Sequence, residues 1–172
     1  MEFSELIRLR ESVRSYDPDR PVSKDKLLKI LEAGRLAPSA ANRQPWKYVI
    51  IASNEMLVKV KACYDKEWFR DAPQLITVVG DENEAWICKY DNRGFIETDL
   101  AIALTHIILA AADEGVATCW ISNFRPDAAR NALGLKDHQH IYAISPLGYP
   151  RTDYKHKETK ERKPLTAITE WI

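Results

Sequence analysis

Glycine is scarce in this chain, six in 172 residues. Neither a G-x-G-x-x-G run nor a Walker-type loop occurs, which argues against a Rossmann dinucleotide site and against any glycine-cradled phosphate. Histidine is as sparse, with four. His106 lies inside an apolar stretch and reads as a hydrogen-bonded core residue. His138 and His140 share one face of an extended segment, but no carboxylate or cysteine at ligand spacing accompanies them, so no metal is assigned. The three cysteines, Cys63, Cys88 and Cys119, form an odd set without C-x-x-C spacing and read as free thiols of a reducing cytoplasm. There is no G-x-S-x-G, and no cysteine lies beside a histidine, so nothing signals a nucleophilic triad. The longest apolar run, Leu100 to Ala112, is interrupted by Thr105 and His106 and falls short of the ~20 residues a bilayer requires. Met1–Glu5 is acidic where a signal peptide would be basic, so a cytoplasmic location is expected. Acidic and basic residues balance at 25 each, giving no argument for nucleic acid or a membrane surface as partner.

What is present is an ordinary globular composition, 45% hydrophobic and 29% charged. A single domain over residues 1–172 is expected, large enough to hide roughly 70% of its unfolded surface. One local bias interrupts the neutral balance. Arg151, Lys155, Lys157, Lys160, Arg162 and Lys163 crowd into a short C-terminal stretch. Such a run is either a solvated tail or the partner of a phosphate.

Hydrophobic spacing predicts a short helix over 3–10, with Phe3, Leu6, Ile7 and Leu9 apolar. A second helix is capped by Ser23, carries Leu27, Ile30, Leu31 and Gly34, and ends before Pro38. A third is expected over 54–62. The strongest, over 95–113, is apolar around much of its circumference and should be the buried spine of the fold. A small helix over 126–133 is entered at Pro126 and closed by Gly134. Strands are expected at Lys47–Ala52, Gln74–Val79, within Thr118–Ile121, and at Ile141–Leu147. Helices interleaved with few strands indicate α/β or α+β packing.

Two segments carry chemistry. Arg10-Glu11-Ser12-Val13-Arg14 places two guanidinium forks and a hydroxyl close together, a set suited to bidentate recognition of phosphate if the first helix ends near Arg10. The same residues could instead be a solvated helix end. Pro38-Ser39-Ala40-Ala41-Asn42-Arg43-Gln44-Pro45-Trp46 combines small residues, against which a flat ring could lie, with amides able to read a heterocycle edge. Otherwise it is a helix-to-strand connection with Trp46 as a core anchor.

Taken in order, R-E-S-V-R, A-P-S-A-A-N-R-Q-P-W, D-A-P-Q-L-I, G-V-A-T-C-W-I-S-N-F, L-G-Y-P and K-E-R resemble the nitroreductase family of flavoproteins. The chain looks like a short member, and the similarity runs from about Phe3 to Arg162. The resemblance implies an α+β nitroreductase-like fold with a central, mostly antiparallel sheet flanked by helices. It also implies an intertwined homodimer sharing its FMN sites, with residues 151–172 as an extension packing on the partner subunit.

For the site, Arg10, Ser12 and Arg14 match the N-terminal flavin motif, and the resemblance places Arg10 at the FMN phosphate and Arg14 at the pyrimidine edge of the ring. Lys160 and Arg162 match a basic pair that also meets the phosphate. Pro38, Ser39, Ala40, Asn42 and Gln44 match the segment that reaches the flavin from the other subunit. Trp120, Ile121 and Ser122 match the segment along the isoalloxazine, where a backbone N–H from Ser122 or a neighbour would face N5. In one respect the chain departs from the family. Asp65 and Trp68 stand where many members carry an Asn and a Lys. Lys66 is a candidate substitute for that lysine, and Tyr64 and Trp68 are candidate walls of a substrate cavity. The implied activity is ping-pong transfer of a hydride from NADH or NADPH, through flavin N5, to a nitroaromatic, quinone or enone acceptor. No side chain is assigned as catalytic, because the cofactor carries the chemistry. The alternatives are a flavin- or small-ligand-binding sensor module, or another reaction on the same scaffold such as reductive dehalogenation.

Overall fold

The computed structural model describes residues 1–157 and 159–172. Its elements run α1 Phe3–Leu9, α2 Lys24–Arg35, β1 Trp46–Ile51, α3 Asn54–Lys61, α4 Glu67–Arg70, β2 Gln74–Asp81, α5 Ile96–Asp113, β3 Ala117–Thr118, α6 Pro126–Leu133 and β4 Gln139–Gly148. One-turn 3-10 helices lie at Ala40–Asn42 and Leu165–Ala167. The four strands pair antiparallel throughout, in the order β1-β2-β4-β3. This is the α+β arrangement that the sequence predicts.

β2 sits between β1 and β4 and is covered on both faces, which is why its sequence is a near-continuous apolar run. Ile76 and Val78 face one core with Leu27 and Ile30 of α2 and Leu100, Leu104 and Ile107 of α5. Leu75 faces the other, with Leu57 and Val60 of α3, Phe69 of α4 and Ala129 of α6. α5 is the expected buried spine, and His106 bonds through Nδ1 to the Ala33 carbonyl at 3.2 Å. The Ser23 hydroxyl caps α2 by accepting from Lys26 N–H, and the left-handed Gly134 closes α6.

Three local features differ from the spacing-based reading. α4 has four residues, too few to display a helical period. Residues 82–95 contain a small hairpin, bridged at Ile87 and Gly94 and clamped by an edge-on Trp86–Phe95 contact at 5.2 Å. The expected strand over Thr118–Ile121 is split into β3 and an isolated Ile121–Ile144 bridge. Its ladder is interrupted because Cys119 N–H donates to the Ser145 hydroxyl (3.2 Å) rather than to a strand carbonyl.

Candidate functional site

α1 ends at Leu9, and Arg10 turns the chain into an extended segment. That segment is fixed by a parallel bridge between Ser12 and Thr118 and by Val13 N–H donating to the Thr118 carbonyl at 2.9 Å. Alternate residues of an extended chain face the same side. Val13 is buried, while Arg10, Ser12 and Arg14 line a cavity of about 520 Å³. Lys160 and Arg162 line the same cavity, although they lie some 150 positions away in sequence. The structure thus brings both ends of the chain together around one space.

Its electrostatics are lopsided. Among the described residues, none of Arg10, Arg14, Lys160 and Arg162 forms an ion pair with a carboxylate. Lys160 Nζ instead donates to the carbonyls of Ile7 (3.0 Å) and Arg10, at the negative end of α1. Burial, together with repulsion from Arg10 and Arg162, lowers the Lys160 pKa. Each of these strains is relieved by an anion in the cavity. Glu11 lines the same space, but its carboxylate is engaged. It accepts from His156 Nδ1 at 2.6 Å and from Lys157 N–H at 3.2 Å. Burial works to raise the Glu11 pKa, but these bonds outweigh it and hold the group in its charged form at a lowered value. Behind the segment, burial pushes up the Cys119 thiol and the Tyr16 phenol, so neither serves as a ready acid or nucleophile.

A second predicted group, Pro38 to Gln44, forms a separate, largely exposed loop between α2 and β1. Ala41, Asn42 and Gln44 have positive φ (50°, 54° and 51°), a costly conformation that persists only where the surroundings dictate it. Here the Ser39 hydroxyl accepts from Gln44 N–H at 2.9 Å, and Gln44 Nε2 donates to the Asn42 carbonyl at 3.2 Å. Ala40 N–H donates to Asp99 Oδ1 at 2.9 Å. Asp99 is buried in the first turn of α5, and its Oδ2 has no partner among the described residues.

The third group lies at the same end of α5. Trp120 Nε1 donates to the Ser122 hydroxyl at 2.8 Å, and the indole meets Tyr142 edge-on at 5.8 Å. Ile121 exchanges both backbone bonds with Ile144, so its N–H is already used, whereas Ser122 N–H finds no acceptor among the described residues. Ser122 lines a cavity of about 410 Å³ with Ile96 and Glu97 of α5. Among the described residues, none of Pro38–Gln44 lines the Arg10–Arg162 cavity.

Tyr64 borders a cavity of about 740 Å³ with Asp65 and Arg125, and another of about 340 Å³ with Lys66 and Asn123. Trp68 is committed to packing: it stacks on Tyr16 at 6.4 Å and meets Tyr64 and Phe69 edge-on. His138 pairs with Asp81 at 3.4 Å and His140 with Glu82 at 2.8 Å. Among the described residues no three His, Cys, Asp or Glu side chains are placed to hold a metal. Also among the described residues, no helix is long and apolar enough to cross a membrane. Residue patterns passed over Glu11, Thr118 and Asp99.

The family model described as the nitroreductase family matches residues 7–62 and 55–149. An Archaeoglobus fulgidus protein provisionally named NADH dehydrogenase/NAD(P)H nitroreductase is 31% identical over 166 residues, covering 94% of this chain and 92% of that protein. The crystal structure of a nitroreductase family protein from Clostridium difficile 630 superposes with a TM-score of 0.88 at 31% identity, covering 99% of this chain and 98% of the other. A protein described as an FMN-dependent nitroreductase, from Clostridium difficile R20291, superposes with a TM-score of 0.75 at 27% identity, covering 89% and 90%.

Proposed function

This chain belongs to the nitroreductase family of NAD(P)H oxidoreductases, and on that footing we propose that it is an FMN-dependent enzyme that uses NADH or NADPH to reduce nitroaromatic, quinone or enone-type acceptors. The observation that carries the reading is the cavity in which Arg10, Arg14, Lys160 and Arg162 converge without carboxylate partners among the described residues. Such a set fits a phosphate monoester, and burial, with repulsion from Arg10 and Arg162 added to it, lowers the Lys160 pKa. The FMN-dependent neighbour supports the choice of flavin.

In this reading Arg10, Ser12, Lys160 and Arg162 hold the phosphate through charge-assisted bonds. Arg14 faces the pyrimidine edge, where a fixed cation stabilises negative charge. The unengaged Ser122 N–H is the donor aimed at N5, with Trp120 and Ile121 along the ring. Pro38, Ser39, Ala40, Asn42 and Gln44 come to the ring from a second copy of the chain, because the loop shares no cavity with the phosphate site of its own copy. When bound, FMN supplies two-electron exchange between nicotinamide and acceptor in ping-pong order. The protein binds, orients and screens, and no side chain is required as an acid or base.

The absorbance spectrum of the purified protein tests this directly. Flavin bands that bleach on addition of NADH or NADPH and return with a quinone or nitroaromatic are expected. A colourless protein that gains no thermal stability from added FMN would overturn the proposal. A yellow protein inert to both nicotinamides would point to a flavin-binding sensor module.

A further inference from the structure

We propose that Glu11 is a positioning residue of the anion site: its buried carboxylate clasps residues 154–157 and so sets Lys160 and Arg162 opposite Arg10 and Arg14. The inference rests on reading the cavity as the FMN phosphate site. Among the described residues from Arg151 to Pro164 there is no helix or strand, so no backbone ladder fixes this part of the chain. Among the described residues, Tyr154 packs against the core, and the remaining attachments are polar. Arg151 pairs with Asp71 at 3.1 Å, a contact open to solvent on both sides. Lys160 rests on the carbonyls of Ile7 and Arg10. Between them stands Glu11, whose side chain is only 7% exposed and which takes both the His156 ring and the Lys157 N–H.

Chemistry explains why the clasp must be an acid. Four cations around one cavity repel each other, and long, flexible side chains on an irregular segment turn outward to water unless the backbone beneath them is held. A carboxylate that accepts from the Lys157 N–H and lies one residue from Arg10 in sequence holds that backbone and offsets part of the repulsion. Each of its oxygens accepts from the segment, Oε1 from His156 and Oε2 from Lys157 N–H, so the carboxylate is directed at the segment. Alanine at position 11 would supply neither the grip nor the offset, and a neutral amide would keep one acceptor oxygen but not the offset.

The test compares FMN with riboflavin, which lacks the phosphate, on flavin-free full-length protein. Glu11→Ala is expected to raise the FMN dissociation constant by about ten- to a hundredfold, the scale of one charge-assisted contact, and to leave riboflavin binding unchanged. In the same ligand-free protein, trypsin is expected to cut faster after Lys155 and Lys160. His156→Ala is expected to reproduce the effect in part and to add little to Glu11→Ala. Equal losses for both flavins, or unchanged FMN affinity with unchanged cleavage, would overturn the clasp. If Glu11→Ala fails to fold, Glu11→Gln keeps the volume and carries the same comparison. If the wild type binds neither flavin, the phosphate reading fails, while the cleavage rates still judge the clasp.

Discussion

Arg10 acts on two levels at once: its carbonyl holds Lys160 Nζ, and its guanidinium lines the cavity. Only the side chain is lost in Arg10→Ala. We expect that variant to weaken FMN binding by about 1.5–3 kcal/mol, the worth of a hydrogen bond to a charged group, as read by fluorescence titration. Unchanged affinity would remove Arg10 from the site. Arg10→Lys is expected to recover little, since an ammonium cannot reproduce the bidentate fork. Glu11 makes a different prediction, about pH. Its pKa is lowered from an ordinary value of 4.5, so the clasp stabilises the fold fully above that value. The contribution fades as pH falls through the lowered folded-state value. Wild type and Glu11→Gln should therefore differ in denaturant midpoint at about pH 7 and converge as pH falls through the lowered folded-state value; a gap that stays constant with pH would contradict the assignment. The contrast between these residues shows what a sequence can disclose. Arginine spacing and a basic tail announce an anion site through charge alone. Glu11 announces nothing, because its partner His156 lies 145 positions away and only the fold reveals the pairing.

At the scale of elements, the site depends on how closely backbones approach. Gly148 ends β4 opposite Ala117 of β3, the strand whose Thr118 holds Ser12 in place. A Cβ at Gly148 would lie 2.9 Å from Cδ of Pro73, and a proline ring cannot swing aside. Gly148→Ala is expected to destabilise the fold by about 1–3 kcal/mol, the usual cost of overpacking, with the denaturant slope unchanged. An undiminished midpoint would show that the strand ends have room to shift. Asp99 links another pair of elements by tying the Pro38–Gln44 loop to α5 through Ala40 N–H. Because that loop is proposed to meet the ring, Asp99→Ala should weaken FMN and riboflavin alike, unlike Arg10→Ala; Asp99→Asn, which keeps the acceptor, should restore both. α5, α2 and β2 were legible because their apolar periods run long enough to count. α4, the 82–95 hairpin and the left-handed turn at Ala41 and Asn42 were not. The hairpin is clamped by its own Trp86–Phe95 pair and the turn by the Asp99 anchor on α5, neither of which a hydrophobic period signals.

Several large apolar side chains are left uncovered. Phe3 and Leu9 of α1 are exposed, and so are Leu165, Ile168 and Trp171 of the C-terminal extension, the last at 94%. Burial stabilises by roughly 25 cal/mol per Å² of apolar area, so a second copy that covers these side chains gains substantially. On the proposed function the same copy would bring its Pro38–Gln44 loop to the ring of the flavin whose phosphate this cavity holds. Dimerisation and flavin binding are then a single linked equilibrium, because ligand that binds only the assembled site stabilises the assembly. Sedimentation of the full-length protein is expected to give a dimer with one FMN per chain, and dilution below the dimer dissociation constant should release flavin together with subunits. Trp171→Ala should shift both transitions to higher protein concentration by the same factor. A species that sediments as a monomer yet retains FMN through dilution would break the link and return the entire cradle to one chain.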